Sequence, residues 1–198
     1  ADADQADRAV EYASEAFCEW SQSTPQQRFD VLDFIGSEIL RRKEEIGRLL
    51  SSEVGKTLAE GVGETNRAGQ IFKYFAGEAL RPEGDYLPSI RSGVDIEVSR
   101  EAIGPIGIIT PWNFPIAIPA WKIAPALAYG NTVIFKPAEL TPGCGWILAE
   151  IISRSGLPEG VFNLLMGKGS VVGQRLIEDN LTAGISFTGS TETGSRVA

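Results

Sequence analysis

The sequence predicts an α/β fold: a parallel sheet with helices on both faces, preceded by a helical front and a β-hairpin ribbon. Three observations carry this prediction. Apolar residues recur at helical spacing through residues 1–83. Between 84 and 103 the chain alternates apolar with polar, as an extended hairpin does. From 104 to 198 short apolar runs come back about every 20–30 residues with helical patterns between them, the rhythm of β-α units in a covered parallel sheet.

The elements follow in order. Thr24, Pro25 and Gln27 form a helix start: a hydroxyl cap, proline at the first helical position and an amide at the third. Phe29, Leu32, Ile35, Ile39, Ile46 and Leu49–Leu50 continue it at helical spacing, which puts "RRKEE" (Arg41 to Glu45) on the solvated face of one helix. A second helix is expected from about Thr57 to Leu80, with Ile71, Phe72 and Phe75 on its apolar side. Pro82 and Gly84 break the pattern. Val94, Ile96 and Val98 then share one face of the ribbon, with "RSG" (Arg91 to Gly93) as its turn. A ribbon leaves an edge to cover, so it serves a contact between subunits or pairs elsewhere within the chain. Strands are expected at Ile106–Thr110, Thr132–Lys136, Val161–Leu165 and Gly184–Phe187. Helices are expected at 116–129, 141–155 and 170–180, with a fourth starting near Thr191.

Composition narrows the function classes. The chain has 198 residues, 43% hydrophobic, with a formal net charge of −8. That balance argues against nucleic acid, whose phosphates need a basic patch, and against an anionic membrane surface. No apolar run approaches the roughly 20 residues that span a bilayer. The start, "ADADQADRAV", lacks both the signal-peptide pattern and an initiator Met, so the beginning is expected to be processed or missing. Two cysteines, Cys18 and Cys144, make no disulfide framework and point to a reducing, cytoplasmic setting. With no histidine, neither a Ser-His-Asp triad nor a His-ligated zinc site can be built from these residues, and no metal site is expected.

Ligands of parallel sheets sit beyond the carboxyl ends of the strands, and four loops fall there. In "TPWNFP" each proline restricts the residue before it, so Trp112 and Asn113 are held between Thr110 and Phe114. A fixed Asn amide can stabilise an oxyanion, or it can bond its own backbone as a turn residue. In "KPAE" Lys136 and Glu139 can both reach ribose hydroxyls; a carboxylate there disfavours a 2′-phosphate. The plainer reading is a surface ion pair. "MGKGSVVG" carries Gly167, Gly169 and Gly173 in a GxGxxxG spacing, one residue longer than the dinucleotide fingerprint. "FTGSTETG" offers Gly189 for a tight turn and Ser190 or Thr191 as a helix cap, which fits phosphate oxygens or a bare strand-turn-helix junction.

Taken jointly and in order, "PWNFP", "FKPAE", GxGxxxG and "FTGSTxxG" closely resemble the NAD(P)-dependent aldehyde dehydrogenase superfamily. The helical front, "EVGKT" (Glu53 to Thr57) and "EAIGPIGII" also fit, so the resemblance spans essentially the whole chain. It implies that family's fold, incomplete here: residues 1–83 as the helical front of the cofactor-binding domain, 84–103 as the oligomerisation hairpin and 104–198 as the Rossmann-like NAD(P)-binding region. It implies oxidation of a small-molecule aldehyde through a cysteine thiohemiacetal and thioester, with a glutamate-activated water releasing the acid. Asn113 matches the oxyanion amide. Ile109, Pro111 and Trp112 match cofactor contacts, Lys136 and Glu139 the adenosine-ribose ligands, and Gly169 and Gly173 the adenine wall. Phe187, Gly189, Ser190 and Thr193 match the pyrophosphate loop. Phe114, Ile118 and Trp121 match the aldehyde channel. The implied cofactor is NAD, with NADP as the alternative, and the implied assembly is a homo-oligomer, dimer or tetramer.

One departure stands out. The family's glutamate base and cysteine nucleophile follow the "FTGST" segment, and neither Cys18 nor Cys144 matches the nucleophile. The chain is therefore expected to be an amino-terminal fragment of a longer enzyme. "NFPIAIPAWKIAPALAYGNTV" is most similar to bacterial members that oxidise α-ketoglutaric semialdehyde. Members acting on succinic semialdehyde commonly carry arginine where Trp121 stands. The alternatives are another aldehyde class (succinic semialdehyde, aliphatic or aromatic aldehydes), the CoA-acylating branch, or a non-catalytic nucleotide-binding fragment.

Overall fold

The structure, a computed structural model, describes residues 1–81 and 84–198; the expected break at Pro82 lies outside the described residues. Helix α1 runs Ala3–Trp20, α2 Pro25–Arg41, α3 Lys43–Val54 and α4 Leu58–Ala79. Thr24 and Gln27 form a reciprocal capping box on α2, and Thr57 and Glu60 do the same on α4. The single helix expected through Leu50 is in fact two. Arg42 leaves helical geometry at φ −97°, ψ 12°, because its guanidinium turns inward to Glu150, with Nη1 at 2.6 Å from Oε2. "RRKEE" is thus a junction rather than a plain solvated face. Glu38, one turn earlier, accepts from Arg41 and from Arg154. Those two hydrogen bonds, Arg41 first, hold the Glu38 carboxyl down at about 2.

Strands β1 (Asp85–Pro88) and β2 (Asp95–Val98) pair antiparallel as a two-stranded sheet of their own. Gly93, at φ +75°, sits in the expected turn, where a left-handed residue closes the hairpin. Every residue of both strands is exposed. Among the described residues the ribbon pairs with no other strand.

The second sheet contains β3 (Pro105–Ile109), β4 (Thr132–Lys136), β5 (Phe162–Leu164) and β6 (Gly184–Phe187), all parallel, in the order β5-β4-β3-β6. Helix α5 (Ala117–Ala128) follows β3 and α6 (Pro142–Ser153) follows β4. The helix expected at 170–180 is replaced by a π-helical turn, Gly169–Gly173, and a short α7 (Gln174–Glu178). The amide of Gly169 is taken by the Glu139 carboxylate at 3.0 Å, which fixes where the coil begins. Helix α8 spans Thr191–Val197.

Strand β4 is buried on both faces, and its side chains divide between two cores. Val133 and Phe135 join α2–α6, while Ile134 joins Ala6, Val10 and Ala13 of α1 and Leu176 of α7. This is the period-2 alternation of a strand inside a covered sheet. The helices on the first face cross at backbone contact. A Cβ on Gly61 would lie 2.4 Å from the carbonyl oxygen of Gly47, and one on Gly36 would lie 2.9 Å from that of Gly69. These crossings set α3 and α2 against α4, which carries side chains that reach the loop after β3. Among the described residues no helix is long and apolar enough to cross a membrane.

Candidate functional site

The sheet order places a reversal between β3 and β6. The chain steps from β3 to β4 to β5 in one direction and returns to the other side of β3 for β6. Ligands of open parallel sheets bind at such a point, beyond the carboxyl ends. Ile109 ends β3 and Phe187 ends β6, and they face one another in register. Lys136 ends β4 as the partner of Ile109 on its other side. An open cavity of about 450 Å³ lies there. Ile109, Gly169, Gly173, Phe187, Thr193 and Arg196 line it. A cavity of similar size, about 480 Å³, lies where α1 ends and α2 begins, lined by Glu19, Trp20, Asp30 and Pro158; none of the four loops reaches it.

Neither packing nor backbone geometry requires glycine at 169 or 173. Neither has positive φ. A Cβ on Gly173 would meet nothing closer than Ile109 Cδ1 at 3.8 Å, and one on Gly169 nothing closer than Lys136 Nζ at 4.0 Å. Their bareness opens the cavity wall. Lys136 is buried, and burial lowers its amine from the usual lysine value while Glu139 opposes the shift. Its Nζ donates to the Pro137 carbonyl at 3.1 Å and stands 3.8 Å from Glu139 Oε1. Glu139 is half exposed and bridges to Gly169 N, so the two residues form a bracket over the glycine turn rather than a bare surface pair. Ser190 caps α8, its Oγ accepting from Thr193 N at 3.2 Å. Gly189 and Ser190 lie on the neighbouring surface, which Phe187 also lines. Pro111, Trp112, Lys136 and Glu139 stand outside the cavity lining itself.

The "TPWNFP" loop turns from β3 into α5. Asn113 is exposed, and among the described residues its side-chain amide makes no hydrogen bond; the alternative of a turn Asn bonding its own backbone is not realised. Its main-chain carbonyl accepts from Lys56 Nζ at 2.6 Å. Phe114 and Trp121 are half exposed, and Ile118 is more buried than either. Phe75 meets Trp121 edge-on at 6.3 Å, and the Arg67 guanidinium stands 5.6 Å from the Trp121 ring.

Several residues of this site escape a reading of the sequence. Lys56 and Glu64 brace the Asn113 loop from α4 and the turn before it. Glu53 caps α6, its carboxylate accepting from Gly143 N at 2.7 Å and Cys144 N at 2.9 Å. Lys122, next to Trp121, reaches across to Ser186 Oγ of β6 at 2.9 Å, and burial lowers its amine. Each is a polar residue on a helix or turn, indistinguishable in sequence from a solvated one. The cysteines offer no nucleophile. Cys144 is fully buried, and burial, then the Glu53 carboxylate, push its thiol well above the usual range. Cys18 is an exposed residue of α1 and does not line the cavity.

Comparison with known proteins matches this arrangement. The profile of the aldehyde dehydrogenase family matches residues 1–198. The chain is 45% identical over 193 residues to an α-ketoglutaric semialdehyde dehydrogenase of Bacillus subtilis, covering 97% of this chain and 39% of that protein. It is 41% identical over 194 residues to a 2,5-dioxopentanoate dehydrogenase of Saccharolobus solfataricus, covering 98% and 41%. A crystal structure of betaine aldehyde dehydrogenase from Staphylococcus aureus in complex with NAD+ superposes with a TM-score of 0.96 at 35% identity, covering all of this chain and 40% of that one. The chain thus spans about two fifths of the length of the relatives it matches. It belongs to the aldehyde dehydrogenase family.

Proposed function

We propose that this chain supplies the cofactor site and the oxyanion donor of an enzyme that oxidises an aldehyde to its carboxylate with NAD. The observation that carries the reading is the cavity at the β3/β6 reversal, because it gathers the end of β3 and residues of two separate loops, those after β5 and β6, and exposes bare glycine backbone to them. Those features fit a dinucleotide. Gly169 and Gly173 let a flat ring approach the backbone. The buried Lys136 amine has three N–H donors, of which one goes to Pro137, so two are open to ribose hydroxyls. Glu139 accepts from the same hydroxyls, and its charge disfavours a 2′-phosphate. The amides at the Ser190 cap face phosphate oxygens, and Ile109, Pro111 and Trp112 border the nicotinamide end. NAD supplies a hydride acceptor. Asn113 donates its free amide to the oxygen that becomes negative when a thiol adds to the aldehyde carbonyl. Neither Cys18, exposed on α1, nor the buried Cys144 is placed to be that thiol.

The expected aldehyde is a semialdehyde bearing a carboxylate, such as the α-ketoglutaric semialdehyde for which the Bacillus subtilis relative is named. Phe114, Ile118 and Trp121 form an apolar channel wall. Arg67 stands over Trp121, and among the described residues no carboxylate pairs with it, so its charge is available to a substrate carboxylate. The test uses the full-length protein with NAD and compares α-ketoglutaric semialdehyde with an uncharged aldehyde of similar size. Arg67→Leu is expected to raise KM for the semialdehyde about ten- to a hundredfold, the worth of a charge-assisted hydrogen bond, and to leave the uncharged aldehyde unaffected. No oxidation of any aldehyde would remove the reading; equal effects on both substrates would remove the semialdehyde assignment.

Glu139→Gln should shift cofactor choice towards NADP, since it removes the charge that opposes a 2′-phosphate. Ratios of kcat/KM for the two cofactors check this, and an unmoved ratio means that Glu139 does not face the ribose. The exposed ribbon of β1 and β2, with Tyr86, Ile90 and Val94 in water, completes the proposal as a contact between subunits of a homo-oligomer.

A further inference from the structure

We propose that Lys56 and Glu64 act as a charged clamp that positions the oxyanion donor Asn113, making both positioning residues for the reaction. The inference rests on the role assigned to Asn113 above. It starts from "EVGKT", the turn between α3 and α4. Lys56 Nζ donates to Asn113 O at 2.6 Å and lies 3.7 Å from the centre of the Phe114 ring. It also pairs with Glu64 Oε2 at 2.8 Å. The other oxygen of Glu64, Oε1, accepts from Ile116 N at 3.1 Å and Ala117 N at 3.2 Å. Two side chains from α4 and the turn before it therefore hold Asn113, Phe114 and Ile116 of the loop and Ala117 at the start of α5, while leaving the Asn113 amide unbonded.

Local sequence alone would not fix this loop. Helix α5 has Ile116 at its N-cap position, a residue with no side-chain cap to offer, so its first amides need an acceptor from elsewhere. Glu64 provides it, and a carboxylate there is favoured by the helix dipole. The Glu64 side chain is only 2% exposed and that of Lys56 19%. A charged pair so placed is poor at stabilising a fold, because desolvation offsets its attraction; its strength is to specify one geometry. Electrostatics add a second reason. A bare Glu64 carboxylate beside this loop would oppose the negative charge that develops at the substrate oxygen. Lys56 cancels it and at the same time fixes the carbonyl of the residue whose amide is the donor.

The experiment is a double-mutant cycle on the full-length enzyme, with kcat for an aldehyde and Kd for NAD measured on each variant. Lys56→Met keeps the length of the side chain and removes its charge and donors. It is expected to lower kcat about a hundredfold, the cost of misplacing a catalytic group by an ångström or so, with Kd for NAD little changed. Lys56→Arg, which keeps the charge and donors, is expected to recover most of that loss. In an Asn113→Ala background Lys56→Met should cost little further, because the group it positions is gone. A merely structural lysine would cost as much in either background, and that additivity would overturn the proposal, as would an unchanged kcat in Lys56→Met. If Lys56→Met no longer binds NAD, Glu64→Gln replaces it in the same cycle with the same two outcomes. If Asn113→Ala alone leaves kcat intact, the role of Asn113 fails and the clamp falls with it. If Asn113→Ala is damaged and Lys56→Met is not, only the clamp fails.

Discussion

Replacing Asn113 with alanine in the full-length enzyme is expected to lower kcat by about 10²–10³-fold, the cost of removing one oxyanion donor from a preorganised site. Affinity for NAD should scarcely move. The reason lies in the separation of the loops. The residues proposed for the adenosine and pyrophosphate, Lys136, Glu139, Gly169, Gly173, Phe187 and Thr193, end or follow β4, β5 and β6, and only the proposed nicotinamide contacts Pro111 and Trp112 share the Asn113 loop after β3. Its main chain is held by Lys56, its neighbours are restricted by Pro111 and Pro115, and its side chain makes no hydrogen bond within the described residues. Truncation therefore deletes a donor without loosening the loop. Pre-steady-state measurement of the chemical step, alongside calorimetric titration of NAD, checks both halves. A chemical step of unchanged rate would remove the oxyanion role, and a large loss of NAD affinity would show that Asn113 serves the cofactor instead.

Much of this site was legible because its parts are local. Strands β4 and β6 begin and end where the apolar runs do, and the Thr24 and Thr57 caps follow from residue type and spacing. Each of the four loops taken alone has a plainer reading as a turn, a cap or a surface pair; it is their joint order that resembles a family, and that family is the one the chain belongs to. The parts that could not be read are those that depend on contacts distant in sequence. Arg42 breaks a helix whose apolar spacing from Ile39 to Ile46 is satisfied equally by one helix or two; the deciding partner, Glu150, lies on α6. Glu64 has the appearance of a solvated helical carboxylate until α5 is laid against it. The expected helix opens with a π-helical turn at Gly169 whose first amide is held by Glu139, on a different loop. Likewise, Thr141 stands where a hydroxyl cap would be expected for α6, yet Glu53 from α3 performs the capping.

Phe72→Ala is expected to have the largest effect on stability, about 3–5 kcal/mol, in the upper range for removing a buried aromatic ring. Phe72 is fully buried on α4, in the core shared with α2, α3, α5 and α6. The cost of such a truncation depends on how far the surroundings can close over the space. Here they cannot move far. α4 already meets α3 at Gly47 and Gly61, and α2 at Gly36 and Gly69, with backbone carbonyls where side chains would stand. The helices are at their closest approach, so the cavity stays open. A loss of this size is a large share of the roughly 5–15 kcal/mol that holds a typical protein folded. It should show as a lower urea midpoint of the full-length protein with an unchanged slope. Well below that midpoint kcat should remain near that of the wild type, because Lys56, Glu64 and Asn113 keep their contacts. A midpoint shift under about 1 kcal/mol would mean that α2 and α3 can slide on α4 despite their glycine crossings. A fall in kcat at full folding would instead mean that the position of α4 is transmitted to the oxyanion donor through Glu64.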